Sequence, residues 1–129
     1  MNKQLVKNEK KYWNFIRSLR NDSRVKEGFV EQQHITKNQH EKFMIKHGDR
    51  YYICLVDNTP AGFVGSIDGD IRVATDPSYQ GMGVGKFMIS EILLKFPGSY
   101  AKVKTENKAS LSLFKSCGFK KKYFILEKE

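Results

Sequence analysis

Three alternate glycines, Gly81, Gly83 and Gly85, stand between a β-rich run, Asp70 to Thr75, and an apolar-periodic run carrying Val84, Met88 and Ile92 at i, i+4 and i+8. The first run suits a strand and the second a helix. The chain must therefore make a strand, a glycine turn and a helix in immediate succession. Glycines there let the backbone bend tightly, so that several N–H groups converge at a helix N-terminus. The helix dipole makes that end positive, and a phosphate is the ligand it suits. Lys86 adds a cation at the same place. Two common phosphate motifs fail. A Walker A loop needs a glycine where Gln80 stands and Ser or Thr where Phe87 stands. A dinucleotide fingerprint starting at Gly81 needs a glycine where Lys86 stands.

With 129 residues and 40% apolar side chains, the chain is expected to form one domain, residues 1–129, with a core of its own. No apolar run approaches the ~18 residues of a membrane span, and Met1–Lys7 is not expected to start a signal peptide. Cys54 and Cys117 form no CxxC pair. We expect free thiols, no metal site and a cytoplasmic setting.

The formal charge is +9. Residues 1–60 hold 12 basic and 7 acidic side chains, residues 61–100 hold 3 and 4, and residues 101–129 hold 8 and 3. The excess sits at the two ends, and it points to an anionic partner. No zinc-finger spacing, RNA-binding signature or heptad repeat accompanies it.

Along the chain, Leu5-Val6 suits a short strand and Asn8 an N-cap. Tyr12, Ile16 and Leu19 line one face of a helix ending near Arg20-Asn21-Asp22. Thr36 with Gln39 makes a capping box for a second helix, with His40, Phe43, Met44 and His47 as its stripe and Gly48 at its end. Strands are expected at 51–56, 61–67 and 70–75, the last two joined by Asp68-Gly69. After the helix that follows the glycines, 100–105 alternates as a strand does, 110–117 suits a short helix, and Tyr123–Leu126 a final strand. The order β-α-α-β-β-β-α-β-α-β predicts an α/β (α+β) fold, a mixed, mostly antiparallel sheet flanked by about four helices.

Gln80-Gly81-Met82-Gly83-Val84-Gly85 matches the pattern [RQ]-x-x-G-x-[GA]. It resembles the coenzyme A pyrophosphate loop of the GNAT superfamily of acyl-CoA-dependent N-acetyltransferases. The lead-in Thr75-Asp76-Pro77-Ser78-Tyr79 is similar to that family's V-x-P-x-[YF], with Thr75 in place of valine. Asn107, Ser110, Leu113, Gly118 and Phe119 fall in register with its late motif N-x-x-[AS]-x-x-[LF]-[YF]-x-x-x-G-F. Together the resemblance covers the chain from about Tyr51 to its end.

This resemblance implies acetyl-CoA as acyl donor, without a metal. Val73, Ala74 and Thr75 would pair with the pantetheine arm as an added strand. Gln80, Gly81, Met82, Gly83, Val84, Gly85 and Lys86 would hold the pyrophosphate. Asn107, Ser110 and Phe114 would meet the rest of the cofactor, and a backbone N–H near Val73 or Ala74 would polarise the thioester. A neutral amine would attack directly, without an acyl-cysteine. The family's usual general acid, a tyrosine, is replaced by Phe114, which has no proton to give. Tyr123, Ser116 or a water is expected to substitute. Asp70, with Asp68 beside it, is the candidate base, and Glu31 and His34 lie in the loop where the family binds acceptors.

Arg20-Asn21-Asp22 followed by Ile35-Thr36 and His40 is similar to the start of amino-sugar acetyltransferases of pseudaminic acid synthesis, which act on a nucleotide-linked 4-amino sugar. That likeness implies that Arg20, Asn21 and His40 shape an acceptor side for an anionic amine. Two further readings stay open: an enzyme for a protein or nucleic-acid amine, and a non-catalytic CoA-binding module. A monomer or homodimer is expected, without a membrane partner.

Overall fold

The computed structural model describes residues 1–26, 29 and 34–129. Four strands form one sheet in the order β1-β2-β3-β4, every neighbour antiparallel: β1 Lys3–Lys7, β2 Tyr51–Val56, β3 Thr59–Ile67 and β4 Asp70–Thr75. Both hairpins turn through two residues, Asp57-Asn58 and Asp68-Gly69, all with positive φ. That geometry matches the twist of the flanking strands, and Asn, Asp and Gly tolerate it best.

Strand alternation sends side chains to two separate layers. On one face Tyr51, Ile53, Phe63, Ile67 and Ala74 pack against Ile16, Leu19 and Met44. These last come from α1 (Trp13–Asn21) and α3 (Lys37–His47). On the other, Cys54, Val56, Val64 and Ile71 pack against Val84, Met88, Ile89 and Ile92 of α4 (Val84–Lys95) and Phe114 of α5 (Lys108–Ser116). Each such fully buried large side chain contributes about 1.5–3 kcal/mol relative to exposure.

The capping box forms at α3: Thr36 Oγ1 accepts from Gln39 N at 3.2 Å, and Gln39 Oε1 accepts from Thr36 N at 3.0 Å. Elsewhere the expectation needs correction. Asn8 caps no helix; its Nδ2 donates to Gly48 O at 3.1 Å, tying the end of β1 to the end of α3. A 3-10 turn, Lys10–Tyr12, precedes α1 instead. A short helix, α2 (Ser23–Lys26), follows α1, with Asp22 Oδ1 accepting from Arg24 N.

Two expected strands do not form. Of residues 100–105, Tyr100 alone pairs, in a parallel bridge to Asp70. Ile71 N donates to Tyr100 O at 2.9 Å and Tyr100 N to Gly69 O at 2.7 Å. Beyond Tyr100 the two segments separate. Tyr123–Leu126 runs without a ladder, its side chains 73–91% exposed. Period-2 alternation and β-rich composition report a preference for a pleated, half-buried surface. They do not supply the neighbour whose N–H and C=O groups complete it.

Candidate active site

The separation of β4 from the segment after Tyr100 opens a cleft of about 270 Å³. Its lining comes from both layers. Arg20, Tyr51, Phe63, Asp70 and Arg72 belong to the α1–α3 side, and Ile71, Val73, Val103, Ser110 and Phe114 to the α4–α5 side. The cleft therefore passes around the open edge of β4.

That edge offers backbone groups whose direction follows from pairing. Ile71 N–H already points outward, to Tyr100. Alternation then turns the N–H groups of Val73 and Thr75 outward as well. Ala74 lies opposite Phe63 and turns its N–H inward to β3. Of the two residues proposed to polarise a thioester, Val73 thus presents its amide to the cleft and Ala74 does not.

At the end of β4, Asp76 Oδ1 accepts from Ser78 N at 2.9 Å and starts a 3-10 turn, Pro77–Tyr79. Gly81 and Gly83 have φ of 79° and 77°, and Gly83 is the N-cap of α4. L side chains rarely adopt that conformation. An added Cβ at Gly81 would meet nothing within 4 Å, so backbone strain and not crowding selects glycine there. Lys86 lies in the first turn of α4, which carries no acidic side chain. The turn thus leads directly into the N-terminus of α4, the positive end of that helix.

On α5, Asn107 is the N-cap, its Oδ1 accepting from Ser110 N at 3.1 Å. Phe114 is buried and packs edge-on to Phe119, centroids 5.1 Å apart, while lining the cleft.

The acceptor-side residues divide. Arg20 lines the cleft with its guanidinium 5.0 Å from the Phe43 ring centroid. Asn21 is consumed structurally. Its Nδ2 donates to Ile35 O and its Oδ1 accepts from Ile35 N, both at 2.9 Å, with Arg17 Nε on the same carbonyl at 3.1 Å. This clamp joins α1 to the approach to α3. His34 is exposed beside it, and Glu31 lies outside the described residues. His40 is buried, with Nε2 2.8 Å from Trp13 O, so Nε2 carries the proton and donates. Its buried Nδ1 has no partner among the described residues. Burial holds the imidazole below its ordinary pKa, and Arg20 and Arg17 push it the same way. His47 stacks on Phe43, centroids 4.9 Å apart. Among the described residues, no three His, Cys, Asp or Glu side chains gather as a metal site.

Asp70 lines the cleft and accepts from Arg72 Nε at 3.0 Å. Asp68 is elsewhere, in a surface hollow with Arg50 and Lys95. Tyr123, in the exposed tail, is not part of the cleft lining.

Among the cleft residues not expected from the sequence, three carry polar groups: Tyr51, Arg72 and Lys102. Tyr51, Gly65 and Arg72 lie in one row across three strands. A Cβ on Gly65 would stand 2.9 Å from Tyr51 Cδ1, so the missing side chain leaves room for the ring. Tyr51 lies across that gap; its burial raises the phenol's pKa, against the opposing pull of the nearby Arg20 and Arg72 charges. A glycine flanked by β-formers was the available signal, but only strand register shows what fills the space.

The cleft lies at the edge of a splayed sheet in an α+β fold, in which a glycine turn leads from β4 into α4. Residues 13–119 match the acetyltransferase (GNAT) family, and the chain belongs to it. It is 42% identical over 52 residues to an uncharacterized protein of Mycobacterium leprae and 39% identical over 51 residues to the N-alpha-acetyltransferase RimI of Mycobacterium tuberculosis. Each alignment covers 38% of this chain, and they cover 14% and 32% of those relatives' own lengths. The fold is shared with a spermidine N-acetyltransferase of Vibrio cholerae solved with CoA and spermine. The TM-score is 0.83 at 19% identity, over 98% of this chain and 85% of that one. No helix among the described residues is long and apolar enough to cross a membrane.

Proposed function

We propose that the protein transfers an acetyl group from acetyl-CoA to the primary amine of an anionic small molecule, in a ternary complex. The observation that carries this reading is the cleft that joins the two layers around the edge of β4. On the α4–α5 side, Val73 and Thr75 pair with the pantetheine arm, and the turn from Gln80 to Lys86 holds the pyrophosphate. Asn107 fixes the helix whose Ser110 and Phe114 line the cleft. On the α1–α3 side the amine enters next to Asp70.

The neutral amine attacks the thioester carbonyl carbon, and the Val73 N–H steadies the oxygen as charge develops there. The C–S bond breaks and the amide C–N bond remains. The ammonium proton passes to the Asp70 carboxylate, directly or through water, and the CoA thiolate leaves. A thiol of ordinary pKa about 8.5 departs without an acid, which suits Phe114 at the family's tyrosine position. Tyr51 is the tyrosine among the described lining residues.

The charge of the cleft favours an anionic acceptor. Among the described residues, Arg20, Arg72 and Lys102 line it with one carboxylate, Asp70, and none of the turn residues 80–86 belongs to the lining. These cations are therefore separate from those facing the pyrophosphate. A polyamine such as the spermine of the Vibrio neighbour would meet like charge here. A nucleotide-linked amino sugar, as the Arg20-Asn21 segment suggests, brings the phosphates this side lacks. The likeness to RimI favours a second reading, a peptide N-terminus as acceptor. The proposed setting is the cytoplasm, where acetyl-CoA and sugar nucleotides are at hand.

A thiol-release screen decides, with acetyl-CoA and four acceptors: a UDP-linked 4-amino sugar, spermidine, an aminoglycoside and N-terminal peptides. Mass spectrometry identifies the product. Thiol release with the sugar nucleotide and little with spermidine is expected. Preference for peptides installs the second reading, and CoA binding without release from any amine would leave a binding module.

A further inference from the structure

The first turn of α4 concentrates positive charge. The helix dipole and Lys86 coincide there, with no acidic side chain in the turn. A further cation reaches the same place from the far edge of the sheet. Lys3 opens β1, paired with Val56, and its side chain shares a face with Leu5, which packs against the α4 layer. Lys3 is half-buried, and its Nζ stands 3.8 Å from the point where a Cβ on Gly83 would project. Its charge is also felt at Cys54, beneath α4. None of the ion pairs among the described residues uses Lys3 or Lys86.

A cation held at a helix N-terminus is unfavourable by itself, by about 0.3–1 kcal/mol. A long, flexible lysine has alternatives in solvent. Two lysines converging on the same positive end make physical sense when an anion sits between them and the amides. We propose that Lys3 is a cofactor-binding residue, its ammonium meeting the pyrophosphate of CoA beside the Gly83 amide. The inference rests on the reading of this turn as the CoA cradle and extends it to a residue 80 positions earlier in the chain. It also gives part of the N-terminal basic excess a partner, since that cation reaches the otherwise neutral middle third.

The test replaces Lys3 with Met, which keeps the aliphatic stem, and with Arg, which keeps the charge. Calorimetry measures CoA and 3′-dephospho-CoA, and NMR titration measures pantetheine, which has no phosphate at all. Thermal unfolding confirms that each variant folds. Lys3→Met is expected to weaken CoA and 3′-dephospho-CoA equally, about fivefold, and to leave pantetheine unchanged. Lys3→Arg should stay within about twofold of the wild type. Unchanged CoA affinity in Lys3→Met overturns the inference, as does an equal loss toward pantetheine. A loss confined to CoA, absent with 3′-dephospho-CoA, overturns it too, because the ammonium would then serve the 3′-phosphate. If the wild-type protein fails to bind CoA, the cofactor reading itself falls. Normal wild-type binding with an indifferent Lys3 removes this step alone.

Discussion

The glycine turn and the cleft are built from different material. The turn between β4 and α4 is made of backbone: two glycines with positive φ, a helix N-terminus, and residues adjacent in sequence. The cleft is lined by side chains brought from α1, β2 and β4, with Arg20, Tyr51, Asp70 and Arg72 meeting across the sheet. A backbone-built site depends on conformation at one or two positions. A side-chain site depends on a network in which each member orients the next. Each half is vulnerable at different positions, and substitutions at each should have separable effects.

Gly83→Val breaks the backbone half most severely. A branched side chain at a φ of 77° forces the turn to another conformation and withdraws the converging amides. CoA binding is expected to fall by about a hundredfold or more, below detection in calorimetry. Wild-type affinity in this variant removes the cofactor assignment.

Arg72→Met tests the side-chain half. It deletes the hydrogen bond to Asp70 and the charge beside Tyr51 while keeping much of the stem. The acceptor KM is expected to rise about tenfold, roughly 1.4 kcal/mol, with the acetyl-CoA KM unchanged. Equal rises in both constants would show that the two halves are not separable.

Phe114→Tyr lies where the halves meet. Phe114 lines the cleft beside Phe119, and a hydroxyl there would restore the family's proton donor. Turnover should hold or rise by a few fold, measured as kcat at saturating acetyl-CoA. A large loss in a folded variant would mean that the acceptor fills that space.

The smallest effect is on stability and belongs to the layer that supports the acceptor side. Burial lowers the His40 pKa in the folded protein below its ordinary 6.5. The unfolded chain therefore takes up the proton first as pH falls. The His40 contribution is fully present above about pH 6.5 and is lost below it, down to the folded value. One proton limits the slope to about 1.4 kcal/mol per pH unit. Denaturant titrations between pH 7.5 and 5.5 should show this decline, and His40→Gln, which keeps a donor for the Trp13 carbonyl, should flatten it. An equal decline in the variant would place the effect elsewhere.

Local signals were legible in the sequence because local physics produces them. The capping box at Thr36 and Gln39 formed as expected. So did the turn at Asp68-Gly69 and the helix beginning at Val84. Asn8 misled because a cap residue and a tertiary tether use the same amide, and α3 lay close enough to take it. The alternating run after Tyr100 misled because pairing belongs to two segments, and here β4 pairs at one residue before the cleft opens.

By itself, then, the sequence determined the turn between β4 and α4: the residues that bend and cap it are contiguous, so their spacing carries their conformation. Tertiary structure decided the rest. Strand register turned the Val73 amide outward and the Ala74 amide inward, let Tyr51 lie across Gly65 to Arg72, and set Lys3 beside Gly83. Those neighbours are far apart along the chain, and no local propensity records which strands will lie side by side.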